Sequence, residues 1–225
     1  MKILELHAGS RSIGNAAESL GHEVYSVDWK KYDGIHLQID IELLTNMDIP
    51  FIPDMIWSSP DCTTYSIAAI SHHRNGTEAK SDYAKKCDRV NANVLNLIEF
   101  YLTYHNKNLK YFIENPRGMM RKMPFMQGIP RATVWYCKYG DDRAKPTDIF
   151  SNHIFSLFNV NGWIPRLECH NGNKNCHHES SPRGSKTGTQ GKKDSYNRSK
   201  IPNELCIEII KATEKSLMYE RGTVI

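Results

Sequence analysis

Lys2-Ile3-Leu4-Glu5-Leu6-His7-Ala8-Gly9-Ser10-Arg11-Ser12-Ile13 opens the chain with a strand-like run, a string of small residues and the first residues of a helix. Lys2 to Leu6 reads as a short apolar strand. Ala8-Gly9-Ser10-Arg11-Ser12 reads as a tight loop, and Ile13 to Leu20 as a helix ended by Gly21. Strand, small-residue loop and helix start, in that order, build a nucleotide-type cofactor site. Glycine lets the backbone approach a ligand, and the first helical turn offers unpaired N–H groups. The same order also builds a plain packing turn, so this loop does not separate the two readings.

The pattern continues on the C-terminal side. Glu23 to Val27 reads as a second strand closed by Asp28, and His36 to Ile39 as a third ending at Asp40. Met55 to Ser58 reads as a fourth, running into Ser59-Pro60-Asp61-Cys62. From Glu78 to His105 the periodicity predicts a helix, with Val90, Val94, Leu97 and Tyr101 on one face. Tyr111 to Ile113 is a fifth strand, stopped by Glu114-Asn115-Pro116. Ala132 to Cys137 is a sixth, and Pro202 to Leu217 a last helix with proline in its first turn. Strands alternating with helices predict an α/β fold: a mostly parallel sheet with helices on both faces. Ligands of such sheets bind beyond the carboxyl ends of the strands. His7, Asp28, Asp40, Cys62 and Glu114 all fall at or just past a predicted strand end, so they converge on one rim.

The 225 residues suffice for a single domain spanning 1–225. The formal charge of +4 is too mild to diagnose a nucleic-acid binder. No apolar run reaches the length of a membrane span. Strand character from Lys2 onward leaves no room for a leader peptide, and six scattered cysteines suggest no disulfide framework. The expectation is therefore a reducing, cytoplasmic compartment, with no membrane partner. Residues 153–200 differ from the rest. Within them, Cys169 to Lys200 is rich in Gly, Ser, Asn, Lys and His, and reads as a loop-rich, basic insertion.

Four side chains carry the chemistry of this reading. Asp28 is placed to accept from ribose hydroxyls, and Asp40 from an adenine amine. Cys62 stands among Trp57-Ser58-Ser59-Pro60-Asp61-Cys62-Thr63-Thr64-Tyr65-Ser66 on a loop leaving a strand, an unusual setting for a cysteine that serves only as a small hydrophobe. Glu114, in Phe112-Ile113-Glu114-Asn115-Pro116-Arg117-Gly118, follows an apolar strand directly and is pinned by proline.

The order of these elements resembles the DNA cytosine-C5 methyltransferases, most closely their compact phage-type members with a short target-recognition region. The resemblance rests on the Gly-containing first loop, Pro-x-Cys with a following aromatic-Ser, and Glu-Asn-Pro. It also rests on Tyr139-Gly140-Asp141-Asp142-Arg143-Ala144-Lys145-Pro146-Thr147, and on the late run Pro182 to Gly191 with Arg198-Ser199-Lys200-Ile201-Pro202. It implies a Rossmann-like methyltransferase fold and S-adenosylmethionine as methyl donor. Cofactor contacts are implied for His7, Ala8, Gly9, Ser10, Ser12, Ile13, Asp28, Trp29, Asp40, Ile41 and Ser59. Cys62 becomes the nucleophile that adds to cytosine C6, and Glu114 the acid held against N3. Arg143 and Lys145 are candidates for the basic group near O2.

The reactive carbon is hidden in a duplex, so the base must flip out and a basic surface must hold the backbone. Arg183, Lys186, Lys192, Lys193 and Arg198, interleaved with glycine and hydroxyl residues, are the expected contacts to double-stranded DNA. The implied setting is a phage-borne activity that protects DNA from restriction.

Three features depart from the resemblance. Asp61 precedes the nucleophile where proline is usual, and a neighbouring carboxylate disfavours the thiolate. Arg11 and Ser12 stand where a second glycine is common. Fewer than fifty residues separate Asn152 from Lys200, too few for a large recognition domain, so a short or degenerate target is expected. These departures keep open a catalytically impaired binder of DNA or cofactor, and an enzyme acting on RNA or using a modified donor. Cys169, His170, Cys176, His177 and His178 cluster in one loop at a spacing that is not standard for zinc; Cys206 is a conceivable further ligand. No metal is assigned from the sequence.

Overall fold

The structure, a computed structural model, describes residues 1–179 and 195–222. In chain order, the elements of the first half are β1 (Lys2–Leu6), α1 (Ser12–Ser19), β2 (Glu23–Asp28), β3 (Leu37–Gln38), β4 (Met55–Ser58), the single helical turn α2 (Ile70–His73) and a small hairpin of β5 (Arg74–Asn75) with β6 (Glu78–Ala79). Then come α3 (Asp82–Tyr104), β7 (Lys110–Pro116), β8 (Arg131–Trp135), β9 (Pro146–Ser151), the short α4 (Ser195–Ser199) and α5 (Asn203–Glu220).

Seven strands form one sheet in the order β3-β2-β1-β4-β7-β9-β8. Neighbours from β3 to β7 pair in parallel, whereas β9 runs antiparallel to both β7 and β8. The chain fills one side of β1 first and then crosses to β4 on the other. The strand order therefore reverses between β1 and β4, and a ligand crevice opens beyond their carboxyl ends.

Alternating side chains on the central strands serve two cores. Leu4, Ile56 and Ile113 meet Val94, Leu97, Ile98 and Tyr101 of α3 on one face. Ile3, Met55 and Phe112 meet Ile13, Ala16 and Ala17 of α1 and Leu205, Ile209 and Ile210 of α5 on the other. Each α3 residue on that list recurs at three- or four-residue spacing, which is why the periodicity was readable. Ser81 starts α3, its hydroxyl accepting from the Ala84 N–H at 3.1 Å.

The structure differs from the sequence expectation at several elements. Glu78, expected in the long helix, lies in the hairpin before it. The sixth strand ends at Trp135, and Cys137 falls in a 3-10 turn, Tyr136–Tyr139. β7 does not stop at Ile113. It continues through Glu114, Asn115 and Pro116 because β9, an unanticipated strand, pairs with these residues. Pro116 is tolerated there because it ends the strand. The described part of Cys169–Lys200 is irregular apart from α4. Among the described residues, no helix is long and apolar enough to cross a membrane.

Candidate active site

The crevice at the strand-order reversal is built first from backbone. His7, just past β1, adopts a left-handed φ of 54° and places Nδ1 3.1 Å from Ser58 Oγ at the end of β4. Removal from solvent pushes the His7 imidazole down to about 4, against the pull of Asp61 and Asp40, so the ring is neutral at pH 7. The Ala8 N–H donates to Val27 and the Ser59 N–H to Leu6, fastening both loops to the strands. Ser59 Oγ accepts from the Trp57 indole at 2.8 Å.

Asp28 ends β2 and is buried. Its two oxygens accept from the Gly9 and Lys30 N–H groups, each at 2.9 Å. The carboxylate thus closes the first loop on β2, and burial raises its pKa. Ser10 and Ser12 hydroxyls are 2.9 Å apart, and Ser12 Oγ also accepts from the Ile201 N–H, tying the loop to the start of the last helical segment. Ile13, expected as a cofactor contact, has its side chain in the core and its N–H donating to Glu5.

Two side chains fix the conformation of this loop. Arg11 takes the left-handed conformation (φ 52°) that glycine would adopt easily. Its buried guanidinium turns inward, bonding Ser26 Oγ and pairing with Glu18. Glu5, a carboxylate in the middle of β1, is fully enclosed and accepts from the Ile13 and Gly14 N–H groups at 3.1 and 3.0 Å and from Ser26 Oγ. Burial raises its pKa while these donors at the start of α1 oppose the rise. Glu5 was missed in the sequence reading. A lone acid inside an otherwise apolar strand, eight residues before a helix start, was the available signal.

Next to the loop lies a cavity of about 160 Å³. His7, Trp29, Asp40, Ile41, Pro60 and Asp61 form one side, and Tyr83, Lys86, Val90 and Asn91 of α3 close the other. Asp40 follows β3, accepts from the Glu42 N–H and pairs with Lys86 at 2.5 Å. Trp29 remains 60% exposed. The α3 wall carried no recognisable motif, so sequence reasoning did not reach it.

Cys62 lies in the loop after β4, and Glu114 lies on the adjacent strand β7. β4 and β7 share the register Ser58↔Ile113, so Glu114 projects one residue beyond the last shared row, where the Cys62 loop departs. Asn115 Nδ2 donates to the Pro60 carbonyl at 3.0 Å and ties that loop to β7. The Asn115 Oδ1 is buried with no hydrogen-bond partner among the described residues. From below, the buried Arg74 holds the loop through the Thr64 carbonyl (2.9 Å) and Asp88 (2.6 Å), with its guanidinium over the Tyr65 ring. Gly118 passes so close that an added Cβ would lie 2.5 Å from the Tyr65 carbonyl oxygen. Asp61 accepts from the Thr63 N–H at 2.6 Å and from the Tyr83 hydroxyl at 2.9 Å, so both its oxygens are engaged.

The half-buried Cys62 thiol is pushed up to about 11 by loss of solvent; Lys145 opposes this, whereas Asp61 and Glu114 add to it. Glu114 is buried and accepts from the Tyr136 hydroxyl at 2.8 Å. That contact and burial raise the Tyr136 pKa well above its ordinary value. Lys145 Nζ sits 4.5 Å from the Tyr136 ring centre and donates to the Arg198 carbonyl. Desolvation lowers its pKa while Glu114 pulls it up. The two basic candidates therefore separate. Lys145 is the cation that acts on both Cys62 and Glu114. Arg143 is buried, chelates Asp141 through Nε (2.8 Å) and Nη2 (2.5 Å), and donates to the Arg198 and Lys200 carbonyls. Its donors hold α4 and the turn together, a positioning role.

Of the expected DNA contacts, Arg198 lies in α4, half-buried. Arg183, Lys186, Lys192 and Lys193 lie outside the described residues. The cysteine and histidine loop is also gathered: Cys169, Cys176 and His178 meet Cys137, whereas Cys206 is buried in the core between α5 and the sheet.

No family model matches the chain, and no curated protein does. Solved structures do match. A methyltransferase of Entamoeba histolytica aligns with TM-score 0.52 and 15% identity over 75% of this chain and 57% of that one. A Spodoptera frugiperda DNMT2 variant aligns with TM-score 0.50 and 17% identity over 74% and 55%. A chain assigned as a DNA modification methyltransferase, encoded within an Escherichia coli prophage, aligns at TM-score 0.47 and 15% identity over 76% and 52%. The chain thus spans about half the length of the structures it matches. Its fold is the Rossmann-like fold of S-adenosylmethionine-dependent methyltransferases.

Proposed function

We propose that this protein transfers a methyl group from S-adenosylmethionine to C5 of a flipped-out cytosine in DNA, with Cys62 as nucleophile. The observation that carries the reading is the placement of Cys62 and Glu114 past the last shared row of the adjacent β4 and β7, with the Lys145 charge bearing on both, beside a cavity lined by Trp29, Asp40 and Ile41. Trp29 and Ile41 offer flat apolar walls and Asp40 an acceptor, the set that an adenine and its amine require. When bound there, the donor supplies an electrophilic methyl group on a sulfonium.

The rest is done by side chains of this chain. The Cys62 thiolate forms a bond to C6 as the C5–C6 double bond opens, and electron density moves toward N3 and O2. Glu114, one oxygen held by Tyr136, presents the other to N3, where a donated proton neutralises the charge as it forms. Lys145 is the cation for the thiolate and for the developing charge on O2. Once C5 has taken the methyl group, with S-adenosylhomocysteine as the leaving group, a water molecule takes the C5 proton, the S–C6 bond breaks and the thiolate returns. Asp61, held by Tyr83 and the Thr63 N–H, works against the thiolate, and Lys145 opposes it.

The DNA substrate is supported by the basic stretch from Arg183 to Arg198, and a short target by the few residues between Asn152 and Lys200. The test is transfer of label from S-adenosylmethionine to unmethylated DNA, with nucleoside analysis, beside trapping on 5-fluorocytosine DNA. Wild type is expected to yield 5-methylcytosine and a denaturant-stable adduct, and Cys62→Ser neither. Label on an exocyclic amine, or 5-methylcytosine formed by Cys62→Ser, would overturn the proposal.

A further inference from the structure

Away from the crevice, Cys137, Cys169, Cys176 and His178 bring three sulfurs and one imidazole nitrogen within 4.8 Å of one another. Cys169 Sγ and His178 Nδ1 are 3.8 Å apart. A tetrahedral zinc, with bonds of about 2.3 Å to sulfur and 2.0–2.1 Å to nitrogen, spaces its ligand atoms by about 3.5–3.8 Å. The four groups come from two places in the chain. Cys137 lies in the 3-10 turn after β8, and the other three lie in an irregular segment. Chance proximity of thiols inside a large apolar core is a poor account. The surrounding cluster holds only Trp135, Ala144 and the three cysteines.

A donor beside one sulfur points the same way. Asn173 Nδ2 donates to Cys169 Sγ at 3.5 Å. Donors aimed at sulfur suit thiolates, and such contacts commonly orient the ligands of a metal. Cys137, Cys169 and His178 are buried and Cys176 half-buried, a closed four-ligand set with no vacant position for substrate.

We infer that Cys137, Cys169, Cys176 and His178 form a structural zinc site that clips the 169–178 segment to the turn after β8. Binding displaces three thiol protons to solvent, and the mixed sulfur–nitrogen set favours zinc over harder cations. The segment also meets the body next to the cluster, where the Glu179 N–H donates to the Asp142 carbonyl (2.9 Å) and His177 Nε2 lies 3.2 Å from the Asp141 carbonyl. The clip would brace the start of the β8–β9 connection, which carries Arg143 and Lys145 further on, but its existence does not depend on the methyl-transfer reading.

The test is elemental analysis of the untagged full chain purified without chelator, with cobalt substitution as a second readout. About one zinc per chain is expected, together with the visible bands of tetrahedral cobalt and sulfur-to-cobalt charge transfer. Cys169→Ser and His178→Ala should lose most of the metal, whereas His170→Ala, altering an exposed neighbour outside the cluster, should keep it. Wild-type protein without stoichiometric zinc and without the cobalt charge-transfer band would overturn the inference. So would an intact mass showing a Cys169–Cys176 disulfide, or full metal content in both ligand variants. Wild-type cobalt spectra need no variant, so a misfolded mutant cannot obscure the result.

Discussion

Gly118→Ala tests how the nucleophile's loop is positioned. The new methyl group would lie 2.5 Å from the Tyr65 carbonyl oxygen, where ordinary contact begins at 3.4 Å. One of the two backbones must therefore yield by ~0.9 Å. Neither yields easily. Tyr65 is fully buried and bonded through its hydroxyl to Asp88 and Asn91, and Gly118 follows a strand paired on both sides. Overpacking of this kind costs about 1–3 kcal/mol, which for a chain of this length lowers Tm by about 2–12 °C. The larger effect is on chemistry. A displacement near 1 Å between reacting groups costs on the order of 10²-fold in rate. The expected result is a folded protein with a modest loss of Tm, unchanged affinity for S-adenosylhomocysteine and a kcat lower by about 10²-fold, read by calorimetry and label transfer at 25 °C. Wild-type kcat in a variant with wild-type Tm would refute the claim that the Gly118–Tyr65 approach sets the position of Cys62.

Other outcomes follow from the same geometry. Because burial holds the Cys62 thiol near 11, the thiolate is a minority species at neutral pH; alkylation by iodoacetamide should rise about tenfold per pH unit between pH 7 and 10, and a plateau from pH 7 upward would contradict the shift. Lys145→Met removes the cation that opposes this shift, so alkylation at pH 8 should slow further. Arg143→Met takes the guanidinium from the buried Asp141 carboxylate, leaving it the residue-143 N–H, and should cost about 3–5 kcal/mol, a Tm loss of about 6–20 °C; a melt within 2 °C of wild type would show the ion pair to be dispensable. Asp40→Ala should weaken S-adenosylhomocysteine binding about tenfold by calorimetry while leaving the Cys62 alkylation rate unchanged, and equal affinity would remove Asp40 from the donor site.

Much of the fold was legible because it follows from local periodicity. β4 was read with its observed bounds, and α3 from its repeating apolar face, because side-chain alternation and helical spacing are properties of short stretches. The rim positions of His7, Asp28, Asp40 and Cys62 were legible for the same reason: each follows a readable strand. β9 was not. Pro146–Ser151 is a strand because β7 and β8 flank it, and that pairing joins residues far apart in sequence. Likewise Glu114 looked like a loop residue until β9 extended β7 past it.

The chain's local order was enough to give an α/β sheet, a small-residue loop between the first strand and helix, and a cysteine and a glutamate at strand ends. Which cation bears on that pair depended on folding: the Lys145 charge acts on Cys62 and Glu114, whereas Arg143, two residues earlier, is turned into the Asp141 pair and the Arg198 carbonyl. The same holds for Arg11, whose inward turn sequence could not show, and for Cys137, which joins three ligands more than thirty residues away. Spacing along a chain limits only what neighbours can do; contacts between distant segments arise from packing, and packing minimises the free energy of the whole molecule at once.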